Sequence, residues 1–283
     1  MILVTGATGY AGPFVVEALL RAEEEVRVLV RRTSDTAAIR KARPEIAVGD
    51  LEEDRSLLDA LDGAEALVAV SHIRHAPALV RACAARGVTR AVFFSSTRLT
   101  SKVPSPTVQE VIAGEAAVTG SRLDFTLLRP TMIYGPGDDR NISRLRRHIR
   151  TRRIIPVFGS GERPQQPVFV RDVAQAVPQA LCRASTVRKA YVLAGPRPIS
   201  YIRLIDAIAE AEGRWIVKVY LPVRVSAWVV GAYERSSSAP RITAEQVRRF
   251  DEAKAFDVSD ARRDFGYDPV PFEEGLRLSN ESS

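Results

Sequence analysis

Residues 1–12, Met-Ile-Leu-Val-Thr-Gly-Ala-Thr-Gly-Tyr-Ala-Gly, constrain the fold more than any other stretch of the chain. A short apolar run, Ile2 to Val4, enters a turn carrying Gly6, Gly9 and Gly12, and an amphipathic pattern of Phe14, Val15, Val16, Ala18, Leu19 and Leu20 follows at once. Strand, glycine turn and helix in that order make a cradle for phosphate. The first turn of a helix carries partial positive charge and free N–H groups, which suit a pyrophosphate. Glycines let the backbone approach such a ligand and let helix and strand pack closely. The segment therefore predicts a dinucleotide site whose phosphate turn is built from Gly6, Thr8, Gly9, Tyr10, Ala11 and Gly12.

The same alternation continues through the first half. Apolar strand runs fall at 25–30, 45–48, 66–70, 91–94 and 124–128, and helical patterns separate them at 13–22, 35–42, 55–61, 76–86 and 107–119. Repeated units of this length call for an α/β fold, a Rossmann-type doubly wound parallel sheet with helices on both faces. Gly135-Pro-Gly-Asp-Asp marks a turn, after which the alternation weakens. Residues 167–198 read as a return to the sheet, with a strand at Pro167-Val-Phe-Val, a helix from Asp172 and a strand at Ala190-Tyr-Val-Leu-Ala. The expected division is 1–135 plus 167–198 for a cofactor domain, and 136–166 plus 199–283 for a smaller C-terminal substrate lobe closing over the crevice.

In such sheets ligands sit outside the carboxyl ends of the strands, where strand order reverses. The end of the second strand meets the adenosine ribose, and an acid there suits NAD while arginine suits the 2′-phosphate of NADP. The chain reads Val30-Arg31-Arg32-Thr33-Ser34, with no acid before Asp35. Guanidinium groups bind phosphate through paired, charge-assisted hydrogen bonds, so Arg31 and Arg32 favour NADP(H) over NAD(H). Asp50 and Leu51 follow the third strand and are placed to contact adenine, with helix capping as the competing role of Asp50. Val70, Ser95 and Pro130, at the ends of the next three strands, complete the expected cofactor contacts.

Thr5-Gly-Ala-Thr-Gly-Tyr-Ala-Gly12, Gly49-Asp-Leu51, Phe94-Ser-Ser-Thr97, Leu128-Arg-Pro-Thr-Met-Ile-Tyr-Gly-Pro-Gly137, Val168-Phe-Val-Arg-Asp-Val-Ala174 and Phe265-Gly-Tyr-Asp-Pro269 together carry a resemblance over nearly the whole chain. It resembles the extended and atypical short-chain dehydrogenase/reductases, most of all the NAD-dependent epimerase/dehydratase group. The resemblance implies an oxidoreductase or isomerase acting on a small carbonyl, hydroxyl or sugar-like substrate. It places Thr97, with Ser96 as the alternative, where the family orients the substrate oxygen. The family's acid/base is a tyrosine with a lysine four residues on, the lysine lowering the tyrosine pKa. Alignment on Glu115 puts Thr107 and Val111 at those two positions, and no tyrosine lies between Tyr10 and Tyr134. Met132 and Gln165 stand where sugar-nucleotide members carry an asparagine and an arginine for the substrate diphosphate, with Arg163 and Arg171 as nearby substitutes. These departures resemble atypical members that bind NADP(H) tightly, including the accessory subunit of respiratory complex I and sensor-like members. A non-catalytic sensor or assembly subunit is thus the alternative to an enzyme.

Substitutes for the missing acid/base are few. His72, with His75 three residues on, follows the fourth strand at the nicotinamide end; it reads as a general acid or as a cap and cleft wall. Lys102 reads as a stand-in lysine or a surface loop residue. Tyr134 reads as a cleft-facing acid or as packing in the Tyr-Gly-Pro-Gly turn. Two histidines without a third nearby ligand do not make a metal site, and no Gly-x-Ser-x-Gly elbow supports a hydrolase. Trp215 and Trp228 read as core or pocket wall.

Composition bounds the setting. The 283 residues are 46% hydrophobic and 27% charged, an ordinary globular balance. No basic-then-apolar leader is visible, and the apolar run 221–233 is interrupted by Arg224 and too short for a bilayer span. Cys83 and Cys182 are solitary and far apart, which fits the reducing cytoplasm. Net charge is +7, and a basic chain can attract nucleic acid. Here acids are interspersed throughout, so a small-molecule substrate is expected rather than nucleic acid, with a homodimer or protein partner possible. The dense cluster Arg144–Arg153 reads as a solvated helix face, or as a contact for an anionic substrate or a subunit.

Overall fold

The computed structural model describes residues 1–139, 141–236, 243–249 and 252–281. Seven parallel strands form its centre: β1 (Ile2–Thr5), β2 (Val26–Val30), β3 (Glu45–Val48), β4 (Ala66–Ala69), β5 (Arg90–Phe94), β6 (Asp124–Pro130) and, later in the chain, Lys189–Leu193. The spatial order is β3-β2-β1-β4-β5-β6 with the late strand outermost beside β6. Order therefore reverses between β1 and β4, and the crevice opens above their carboxyl ends. Every residue of β1 and β4 is buried, as expected of central parallel strands covered on both faces.

Helices α1 (Gly12–Arg21), α2 (Ala37–Arg40), α3 (Asp54–Ala60), α4 (Ala76–Arg86) and α5 (Pro106–Thr119) follow the first five strands in turn. Local signals set their ends. Ser105 accepts a hydrogen bond from the Val108 amide ahead of Pro106 at the start of α5, and Gly87 closes α4 with φ 71°. Val15, Val16 and Leu19 of α1 pack on one sheet face, and Leu79 and Cys83 of α4 on the other.

The remaining elements are short strands and helices: β7 (Ile133–Tyr134), α6 (Ile142–Thr151), β8 (Ile154–Phe158), β9 (Pro164–Gln165), β10 (Val168–Phe169), α7 (Val170–Leu181), β11 (the late strand Lys189–Leu193), β12 (Ile199–Ser200), α8 (Tyr201–Ala211) and β13 (Val217–Leu221). Four helices complete the chain: α9 (Val223–Ser236), α10 (Ala244–Arg249), α11 (Ser259–Phe265) and α12 (Phe272–Glu281). A third core gathers Ile142 and Ile149 of α6, Leu204 and Ile208 of α8, and Phe272 and Leu276 of α12 around Tyr134 and Phe169.

Several expectations change here. Val168-Phe169 does not return to the central sheet; it pairs with β7 in a separate two-stranded sheet, and only β11 joins the main one. Val258, Ala261, Phe265 and Tyr267, expected in the smaller lobe, instead pack with α1, α7 and β11 in the central core. The Tyr267 hydroxyl donates to the Ala194 carbonyl (3.0 Å), which fixes that segment at the carboxyl end of β11. Trp215 and Trp228 are neither core nor pocket wall: each is 73% exposed. The arginines of α6 are largely paired, Arg146 with a mostly buried Glu212 that also takes Arg150, and Arg147 with Asp138 at the surface. Among the described residues no helix is long and apolar enough to cross a membrane.

Candidate active site

The glycine turn is shaped by contact on both sides. Gly6 has φ 75°, and a Cβ there would sit 2.4 Å from the Ser71 amide nitrogen, so the turn lies hard against the end of β4. A Cβ on Gly12 would meet the Ala7 carbonyl oxygen at 2.3 Å, so α1 packs directly on the turn. Between them Gly9 donates to Gly6 and Gly12 donates to Gly9, each at 3.0 Å. No side chain caps the start of α1, and its first turn holds no acid. Its amides and partial positive charge thus face the crevice, which fits an anionic ligand.

Tyr10, Val70, Ser95, Pro130 and His72 share the wall of one cleft of about 280 Å³ above the switch point, together with Val111. The Tyr10 hydroxyl is buried without a hydrogen-bond partner, an orphan that a bound polar ligand would satisfy. Thr8 is exposed on the turn. At the far end of the crevice Arg31 and Arg32 are exposed, and their guanidiniums engage no other described side chain. Asp50 accepts the Glu52 amide (3.0 Å), closing a turn rather than capping α3, whose cap position is Glu53; Leu51 packs its side chain against the α3–α4 core.

The expected acid/base residues separate into distinct places. Ser96 borders both the cleft and a second cavity of about 470 Å³, which Thr97 also lines. Ser96 Oγ accepts the Arg98 amide (3.1 Å), which leaves its proton available for donation. His72 borders the cleft, but its Nδ1 accepts the Arg74 amide (3.3 Å), so the imidazole caps a turn. Burial lowers its pKa, with Glu110 at 3.9 Å opposing, so the ring is neutral near pH 7. Tyr134 is corrected outright. It is 1% exposed, its hydroxyl donates to the Phe272 carbonyl (3.1 Å), and its ring packs edge-on against Phe272 at 4.9 Å. It belongs to the third core because the Tyr-Gly-Pro-Gly turn directs it away from the crevice. Lys102 has an exposed side chain; only its amide is held, by Glu252 (2.7 Å).

The position of the family lysine is filled by Val111, 1% exposed. Beside it, Ser95 donates to Glu115, and Arg129 holds the same carboxylate through two hydrogen bonds of 2.9 and 2.6 Å. Ser95 is therefore committed to an internal network at the cleft wall.

The larger cavity also contains residues that the sequence did not single out. Residues 252–256 cross its mouth as a strap. Glu252 accepts from Ser101, the Lys254 amide donates to the Pro164 carbonyl (2.8 Å), and the Phe256 amide donates to Gln166 Oε1 (2.7 Å). This strap brings Lys254 and Phe256 into the cavity beside Thr97, Met132 and Gln165. Nothing local in Glu-Ala-Lys-Ala-Phe marks it; the scarcity of lysine, five in 283 residues, is the nearest signal.

The family model described as NAD(P)H-binding matches residues 6–156. A 2-alkyl-3-oxoalkanoate reductase from Stenotrophomonas maltophilia is 26% identical, the alignment covering 100% of this chain and 99% of that protein. Subunit 9 of the NADH dehydrogenase [ubiquinone] 1 alpha subcomplex from Mus musculus is 25% identical over 95% of this chain and 77% of its own. Among solved structures, an NADPH-dependent quinone oxidoreductase from Escherichia coli superposes with a TM-score of 0.78 at 21% identity, covering 98% of each chain. The chain belongs to the NAD(P)H-binding family.

Proposed function

We propose that the protein is an NADP(H)-dependent oxidoreductase acting on a small carbonyl or hydroxyl compound. The observation that carries this is the position of Ser96 and Thr97 where the cofactor cleft opens into the larger cavity. Gly6, Gly9 and Gly12 with the start of α1 would hold the pyrophosphate, Arg31 and Arg32 the 2′-phosphate, and Tyr10, Val70 and Pro130 the nicotinamide end. When bound, the nicotinamide supplies or accepts hydride.

The chain's own part is orientation and proton handling. The hydroxyls of Thr97 and Ser96 hold the substrate oxygen at the junction of the two spaces. Val111 cannot lower a neighbour's pKa, so the proton reaches that oxygen through these hydroxyls from water. General acid–base help is worth roughly 10²–10⁴-fold, so turnover is expected to be slow. The two unpaired cysteines, one buried and one exposed, suit a reducing cytoplasm.

The test is oxidation of NADPH, followed by absorbance, with a panel of ketones and aldehydes. Turnover that falls by about a hundredfold in Thr97→Ala supports the proposal. A second reading, a cofactor-reading subunit without turnover, draws on the apolar Val111 and on the resemblance to the dehydrogenase subunit. Tight NADPH binding with no turnover on any carbonyl would select it.

A further inference from the structure

The larger cavity is lined by two unlike sets of side chains. Its lining combines apolar Met132, Ile142, Leu145 and Leu204 with polar Arg98, Arg249, Lys254 and Gln165. The polar set offers donors. Gln165 is 1% exposed, and its amide nitrogen is buried with no partner. Arg249 Nε is likewise buried without a hydrogen bond. Among the described residues no hydrogen bond or ion pair engages the Lys254 ammonium, and burial with the nearby Arg249 lowers its pKa to about 8. Buried donors without acceptors are costly unless a ligand supplies the acceptor.

Charge narrows the ligand. Glu245 and Glu252 each lie 3.7 Å from the Arg249 guanidinium, and both belong to the same cluster as Arg98 and Lys254. Three cations against two carboxylates leave one uncompensated positive charge among the described residues. Arg144 borders the cavity but is solvent-exposed, so water screens it. A single charge matches a carboxylate better than a dianionic phosphate.

We propose that this cavity takes a carboxylate-bearing substrate with a hydrocarbon arm, its acid group seated against Lys254 and the Gln165 amide and its arm along Met132, Ile142 and Leu204. The proposal rests on the carbonyl-reductase reading for its place beside Thr97. It assigns the substrate class to an oxo or hydroxy acid.

The test uses the full chain without cofactor and octanoate, methyl octanoate, 2-octanone and octyl phosphate as probes, with affinity measured by calorimetry. Octanoate is expected to bind at least about tenfold more tightly than the ester or the ketone. Lys254→Met is expected to abolish that preference, Lys254→Arg to keep it, and Lys41→Met, on an exposed surface, to leave it unchanged. Equal affinity for acid and ester, a preference that survives Lys254→Met, or tighter binding of octyl phosphate overturns the proposal. If Lys254→Met does not fold, Gln165→Leu decides: several-fold weaker octanoate binding supports the proposal and unchanged binding overturns it. Because no cofactor is present, failure here leaves the oxidoreductase reading standing, and loss of NADPH binding in a protein that still holds octanoate removes that reading alone.

Discussion

Arg129 holds Glu115 by two hydrogen bonds, and the Ser95 hydroxyl donates to the same Oε1 that accepts from Arg129 Nε, so a charged network braces the end of β5 against α5 and β6. The carboxylate is nearly buried, its side chain 11% exposed. Removing one partner strands the other. Arg129→Met should therefore destabilise the fold by about 2–4 kcal/mol, read as a lower urea midpoint with an unchanged slope.

Gly12 tolerates no side chain, because its missing Cβ faces the Ala7 carbonyl. Gly12→Ala should push α1 off the turn, cost about 2 kcal/mol or more, and weaken NADPH binding by about tenfold or more. Nicotinamide fluorescence titration alongside thermal melting checks both.

Arg31 and Arg32 stand free at the end of β2. Arg31→Asp should lower NADPH affinity by about tenfold while sparing or improving NADH. Parallel titrations with the two cofactors measure this, and an unchanged ratio would refute the NADP(H) assignment.

Tyr134 donates to the Phe272 carbonyl in the third core, so Tyr134→Phe should cost about 1–2 kcal/mol for the buried acceptor left unpaired. Its turnover with any accepted carbonyl should match the parent. A large fall in kcat at unchanged fold would restore Tyr134 to the reaction.

Asp172, at the first turn of α7, has its pKa raised to about 6 by burial, with Asp268 and Glu274 adding to the shift and the Val270 amide (3.0 Å) opposing it. The folded state then holds a proton that the unfolded chain has released. Between roughly pH 4 and 6 stability should fall as pH rises, by about 2 kcal/mol from this group. Asp172→Asn, which still offers an oxygen to Val270, should flatten that slope in chemical denaturation measured across pH.

The central sheet was legible in the sequence because its strands are continuous apolar runs separated by amphipathic helices, and β2 to β6 fall within a few residues of their expected bounds. The phosphate turn was legible for a steric reason, since Gly6 and Gly12 answer to contacts made within the first βα unit and at the neighbouring strand. What the sequence hid depends on distant pairing. Nothing near Val168-Phe169 announces β7 as its partner, and nothing near Phe265 announces the sheet edge. Tyr134 shows the same limit: turn chemistry located the residue but not the direction of its ring. Lys254 reaches the cavity only because Pro164 accepts its own amide while Ser101 holds Glu252 and Gln166 holds Phe256 on either side of it.

That strap also divides the linings of the two sites along the chain. Every residue lining the cofactor cleft lies within the first 133 positions, whereas the neighbouring cavity lacks a wall until Arg249 and residues 252–256 are in place, the latter across loops about 90 and 150 residues earlier. The cradle's helix α1 nevertheless depends on still later residues, because Val258, Ala261 and Phe265 close the core beneath it. The C-terminal segment therefore completes both spaces at once: it walls the reactant chamber and seats the helix of the cradle.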